Sequence, residues 1–160
     1  MTAINQVDDH GYLFIGAVEG RRYVGRRGIK CVIAVLDAED KVFAERGDLW
    51  DLGDAPGVEQ HWFSLVDAWD ESLAPAFKEL LPIIARNVAA KRPVLVHCHA
   101  GISRSASIVL AYLVQAHGLS LAAAWDKLSA RRKVAPNSGF WKQLVAFEAE
   151  CVAARKPGDA

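Results

Sequence analysis

Between an apolar run, Val94-Leu95-Val96, and a stretch of small and apolar residues, Ala106 to Ala116, stand His97-Cys98-His99-Ala100-Gly101-Ile102-Ser103-Arg104-Ser105. A short continuous apolar run suits a strand buried on both faces of a mostly parallel sheet. Residues 104–117 are nearly all small or apolar, which suits a helix enclosed by the core. Strand, tight loop and helix in this order aim backbone N–H groups at an anion. This segment therefore predicts an α/β fold with an anion site at the C-terminal edge of the strands, as open α/β sheets favour.

The rest of the chain fits around it. Strands are expected at 12–15, 31–36, 60–65 and 94–98, with a weaker candidate near 42–45. Helical spacing predicts a helix over 73–90, with Ser72 a possible N-cap and Pro82 expected to kink or divide it. Further helices are expected at 104–117, with Gly118 at its C-cap, at 121–131 behind Ser120, and from near Ser138 to about Ala153. Alternation of strands and helices argues for a central, mostly parallel sheet of four to five strands flanked by helices on both sides. We read the 160 residues as one domain with its core at about 10–153, and residues 1–7 and 155–160 as frayed ends.

Charge narrows the partners. Lys+Arg and Asp+Glu number 19 each, and no run reaches five like charges. Neither nucleic acid nor an anionic membrane is expected as a partner. No apolar run is long enough to span a membrane, and no secretory signal is visible. The three Cys, at 31, 98 and 151, are too far apart for a disulfide framework and suit a reducing cytoplasm. Neither Cys31 nor Cys151 receives a role.

Within the loop, Cys98 is the candidate nucleophile. Converging N–H groups and Arg104 are expected to favour its thiolate. Arg104 offers a planar, permanently charged fork that fits two phosphate oxygens; Arg104→Lys would keep the charge and lose the fork. Gly101 marks a conformation closed to β-carbon residues or a close backbone approach. The amides of His99, Ala100, Gly101, Ile102, Ser103 and Arg104 are expected to point inward, the side chains of His99, Ala100, Ile102 and Ser103 mostly outward. His97 and His99 flank Cys98, but alternation along a strand sends neighbours to opposite faces, so no metal site is read here and no cofactor is required.

By composition, the pattern H-C-x-x-G-x-x-R-S is expected by chance in about 2 of 100,000 shuffled chains. It resembles the active-site loop of the cysteine-dependent protein phosphatases, and A-G-I-S-R-S is most similar to their compact dual-specificity type. Val66-Asp67-Ala68-Trp69, ahead of Cys98, and Ala135-Pro136-Asn137-Ser138-Gly139-Phe140 resemble two further family segments, and the likeness covers roughly residues 10–150. The resemblance implies that Asp67 is the general acid, with Asp54, Asp70 and Glu71 as neighbouring carboxylates. It gives His97 a loop-supporting role and Ser105 a hydrogen bond to the Cys sulfur. Trp69 is either a rim residue or core packing, and Asn137 either positions the loop or caps the following helix. The implied activity is hydrolysis of phosphotyrosine, and of phosphoserine or phosphothreonine, on a protein or peptide through a phosphocysteine. Alternatives are a phosphoinositide or other non-protein phosphatase, a non-catalytic phospho-binding module, and rhodanese-type sulfur transfer. The absence of Lys from residues 99–103 argues against lipid, and the presence of Cys98, Arg104 and Asp67 together argues against mere binding.

Overall fold

A computed structural model describes residues 2–52 and 55–155. Five strands form one sheet: β1 Ile4–Gln6, β2 Leu13–Gly16, β3 Cys31–Val35, β4 Glu59–Phe63 and β5 Val94–His97, in the order β1-β2-β5-β3-β4. β1 is antiparallel to β2; every other pairing is parallel. β5 is inserted between β2 and β3, with Gly16 and Ala34 both opposite His97. The chain leaves β5 between the ends of two neighbours whose own connections have already diverged, and in such sheets that crevice receives the ligand.

β2, β3 and β5 are buried along their whole length, which is why they read as unbroken apolar runs. β4, at the sheet edge, alternates between half-buried and exposed residues. α3 (Arg104–Ala116) lies against β5 and β2 and is enclosed by α2 (Ala74–Ala89), α4 (Leu121–Ser129) and α5 (Ser138–Ala154). Its residues from Arg104 to Val114 are all buried. These four helices share one core with one face of the sheet. The opposite face, with Phe14, Val32 and Leu95, is covered mainly by loop residues Val24, Ile29, Leu52 and Val58.

Several local expectations give way. Residues 42–45 are not a strand; they lie in α1 (Ala38–Arg46), whose N-cap Asp37 accepts the Asp40 N–H. Residues 4–6, expected to fray, form β1, because the free edge of β2 supplies partners for Ile4, Asn5 and Gln6. α2 starts without a side-chain cap; instead of Ser72, Gln143 Oε1 accepts the Leu73 N–H at 2.7 Å. Pro82 does not divide α2. Pro82 and Lys78, four residues back, are both exposed, so the carbonyl deprived of its N–H partner is open to water. Gly118, at φ +66°, follows α3 as expected, and Ser120 caps α4 by accepting the Ala123 N–H.

Candidate active site

Every carbonyl of the loop from Cys98 to Ser103 is fastened to something outside its hollow. Cys98 O accepts from His97 Nδ1 at 3.1 Å and His99 O from the Val18 N–H at 2.9 Å. Ala100 O and Gly101 O take Nη2 and Nε of Arg132 at 3.0 and 2.9 Å. Ile102 O accepts the Ala135 N–H, and Ser103 O accepts both the N–H and the hydroxyl of Ser107. With the acceptors turned out, the amides turn in. Those of His99, Ala100, Ile102 and Ser103 donate to no group among the described residues. Ser103 occupies the N-cap of α3 without capping it, and the first turn carries no acidic residue. The unpaired N–H groups of that helix end therefore add to the cradle.

Gly101 makes the turn possible. Its φ is +71°, and a Cβ there would meet the Gly16 carbonyl at 2.6 Å and Arg132 at 2.8 Å. Cys98 is buried and points into the hollow. Its Sγ accepts the Gly101 N–H at 3.2 Å, and the Ser105 hydroxyl stands at 3.2 Å. Behind it, His97 is fully buried and Arg21 Nη1 lies 3.1 Å from its Nε2. Burial, and the Arg21 charge next, depress His97 to about 3. It is therefore a neutral ring that donates through Nδ1 to the Cys98 carbonyl and accepts from Arg21.

Arg104 is 7% exposed. Its Nη1 donates to Asp40 Oδ2 at 2.8 Å and Leu65 O at 3.1 Å, with Asp37 Oδ2 at 3.8 Å. The opposite edge of the guanidinium has no partner among the described residues, so a two-point hold on phosphate oxygens stays open. His99 stands beside this pair. Its Nδ1 is 3.3 Å from Asp40 Oδ1 but out of line for a hydrogen bond, and its ring meets Phe43 edge-on at 5.1 Å.

Asp67 comes to the loop from the segment after β4. Its Oδ1 accepts from Ser103 Oγ and from Asn137 Nδ2, each at 2.8 Å. Asn137 also donates its N–H to Ser103 Oγ at 3.0 Å and caps α5 by accepting the Phe140 N–H at 2.9 Å. Asn137 thus caps α5 and ties Asp67 to Ser103. Trp69 is not core packing: it is 72% exposed, and its backbone lies so close to Gly139 that a Cβ there would sit 1.7 Å from Trp69 O. Asp70 is exposed, and Asp54 lies outside the described residues. The structure thus brings His97, Cys98, the 99–103 backbone, Arg104, Ser105, Asp67 and Asn137 to one point, with Trp69 just beyond.

A family model of the dual specificity phosphatase catalytic domain matches residues 26–150. The chain belongs to that family. Human dual specificity protein phosphatase 7 is 33% identical over 141 residues, covering 86% of this chain and 32% of that protein. Human dual specificity protein phosphatase 21 is 39% identical over 94 residues, covering 58% of this chain and 49% of that protein. The chain thus spans about a third to a half of these curated relatives' length. Among solved structures, human DUSP28 aligns with a TM-score of 0.80 at 27% identity, covering 96% of this chain and 97% of that one.

Around this dual specificity phosphatase loop stand four residues that the sequence reading left without a role. Arg132, 4% exposed, holds two loop carbonyls and also donates to Thr2 O and Asn5 Oδ1. Arg21, 3% exposed, binds His97, Leu49 O, Trp50 O and Gln60 Oε1, and lies over the Trp50 ring at 4.3 Å; burial lowers it to about 10. Asp40 fixes Arg104, and Gly139 admits the Trp69 backbone. Only Gly139 carried a usable signal, as the fixed Gly of the P-N-x-G-F segment. The two arginines sit in ordinary-looking basic runs, and nothing in the sequence marks which Arg is buried.

Proposed function

We propose that this chain hydrolyses phosphate monoesters on protein, phosphotyrosine first and phosphoserine or phosphothreonine with it, in two steps through a phosphocysteine. One observation carries the reading. The Cys98 sulfur sits at the floor of a cradle whose carbonyls all face away, with the Ser105 hydroxyl at 3.2 Å and Arg104 buried beside it. A fully donor-lined cradle stabilises equatorial oxygens as charge builds on them in the transition state.

In the first step the Cys98 thiolate attacks phosphorus in line, forming an S–P bond as the P–O bond to the substrate breaks. Asp67 protonates the leaving oxygen. The Ser103 and Asn137 donors on one of its oxygens leave the other, Oδ2, with no partner among the described residues, free to face the substrate. In the second step Asp67 takes a proton from water, whose oxygen attacks phosphorus. The sulfur departs as thiolate, eased by the Ser105 hydroxyl. His97 holds the Cys98 carbonyl and takes no part in proton transfer. We further propose a cytoplasmic setting, in keeping with free cysteines at 31, 98 and 151. No helix among the described residues is long and apolar enough to cross a membrane.

The test is hydrolysis of an aryl phosphate by wild type, Cys98→Ser and Asp67→Asn, followed by phosphopeptides and phosphoinositides. Cys98→Ser is expected to abolish turnover while still binding phosphopeptide. Asp67→Asn is expected to lower kcat by about 100-fold, most with poor leaving groups. Turnover surviving in Cys98→Ser would overturn the nucleophile, and preference for phosphoinositides would overturn the substrate class.

A further inference from the structure

At the end of the sheet away from the catalytic loop, a second group of chemically active side chains comes together. In the parallel pairing of β3 with β4, Cys31 is opposite Glu59 and Ile33 opposite His61. Side chains two apart on a strand share a face, so Cys31, Glu59 and His61 all project toward α2. Their donor atoms lie within 4.8 Å of one another. Cys31 Sγ is 3.8 Å and His61 Nε2 2.5 Å from the same oxygen, Glu59 Oε2. Cys31 is fully buried beneath the two partly exposed ligands. From α2, Arg86 reaches over and places Nη1 and Nη2 on the Glu59 carboxylate at 3.2 and 2.7 Å.

We propose that Cys31, Glu59 and His61 form a site for zinc, closed in this structure by the Arg86 guanidinium, which a dication displaces. Thiolate, imidazole and carboxylate are the donors that borderline divalent metals take, and three protein ligands with one position left open is a common zinc arrangement. The sulfur–oxygen separation of 3.8 Å is near the roughly 3.5 Å between two such donors on one tetrahedral zinc, and the nitrogen–oxygen pair, now 2.5 Å, opens to about 3.3 Å as the metal enters.

An ion pair clamping α2 to the edge strand would explain Arg86 and Glu59 alone. It does not explain a fully buried thiol aimed at the same carboxylate oxygen as an imidazole. Without metal the thiol, the imidazole and the guanidinium all donate to that one carboxylate, so sulfur, nitrogen and oxygen ligands of the kind zinc takes are already gathered at one point. Burial and the neighbouring Glu59 charge push the Cys31 thiol up to about 12, so without metal it stays protonated. A coordinating metal removes that proton outright.

The exchange balances. Zinc enters with two positive charges, the guanidinium leaves with one and the thiol proton leaves with the other, while the Nε2 proton that His61 now donates to Glu59 is exchanged through water for one on Nδ1, which frees Nε2 to ligate. A sulfur–metal bond replaces a sulfur–hydrogen bond, and nothing is oxidised or reduced. The Arg86 side chain is 59% exposed, so the guanidinium can swing out into water when a dication takes its place on Glu59.

The experiment uses the full chain with Cys98→Ser, which removes the catalytic thiol. Cobalt(II) is titrated as a spectroscopic probe, and zinc affinity is read against a chromophoric chelator. One equivalent of cobalt with a thiolate-to-metal absorption band is expected. The band is expected to vanish in Cys31→Ser and to persist in Cys151→Ser. Zinc affinity is expected to fall about tenfold or more in Glu59→Gln and His61→Ala, and to rise in Arg86→Ala. Because Glu59 and His61 lie at the partly exposed sheet edge, these two variants keep the fold, checked by circular dichroism. Absence of the band, or unchanged zinc affinity in His61→Ala and Glu59→Gln, overturns the site. Weakened affinity in Arg86→Ala overturns the displacement.

Discussion

Gly101 answers to two constraints that no other residue meets together. Its φ of +71° is costly for a side chain, and a Cβ would overlap the Gly16 carbonyl. Gly101→Ala is expected to lower stability by about 1–3 kcal/mol, read by urea denaturation, and to remove nearly all turnover. Gly139 is a subtler case. It lies in the first turn of α5, where Gly→Ala ordinarily stabilises by up to about 1 kcal/mol. Here the Cβ would displace Trp69 and with it Asp67. Gly139→Ala is therefore expected to keep the fold and to lose about 100-fold in kcat, the scale of loss from a small misplacement of a catalytic group. Asp40 is a positioning residue. Asp40→Asn retains an acceptor for Arg104 Nη1 but not the charge, and kcat/KM is expected to fall about tenfold with the helical circular dichroism unchanged.

At the scale of elements, the loop is held by its surroundings more than by itself. Arg132 joins two of its carbonyls to Thr2 and Asn5, so the short β1 braces the site through one guanidinium. Arg132→Lys keeps the charge but cannot span four acceptors, and kcat is expected to drop about tenfold or more before any large change in thermal unfolding appears. This division also explains what could be read in advance. β2, β3, β5 and α3 are apolar on all sides because they are buried on all sides, and such segments announce themselves. β1 and α1 did not. β1 has three residues and exists because β2 has a free edge, while Val42 and Phe43 in α1 are exposed and imitate a strand. Within the site, Cys98, Gly101, Arg104 and Ser105 share one contiguous motif, and Asp67 and Asn137 sit in recognisable segments. Arg21, Arg132 and Asp40 act across the fold from segments with no local signature, and only three-dimensional proximity reveals them.

For the molecule as a whole, the buried His97–Arg21 pair links stability to acidity. An unfolded His titrates near 6.5, whereas native His97 is held to about 3 by burial and by Arg21. Between these values the unfolded chain binds a proton that the native one refuses. Stability therefore falls as pH drops from about 6.5 toward 3, by up to about 1.4 kcal/mol per pH unit from this residue. Urea denaturation of wild type and His97→Gln at pH 7 and pH 5 checks it; the variant is expected to be less stable at pH 7 and to show a shallower pH dependence. The outward-turned carbonyls carry a different consequence. A hollow walled by N–H groups around a single sulfur registers a tetrahedral cluster of oxygens and is blind to what that cluster was once attached to. Under the proposed hydrolysis the liberated phosphate is as welcome a guest as the ester it came from, and turnover is expected to be throttled by the phosphate content of the surroundings as well as by the substrate.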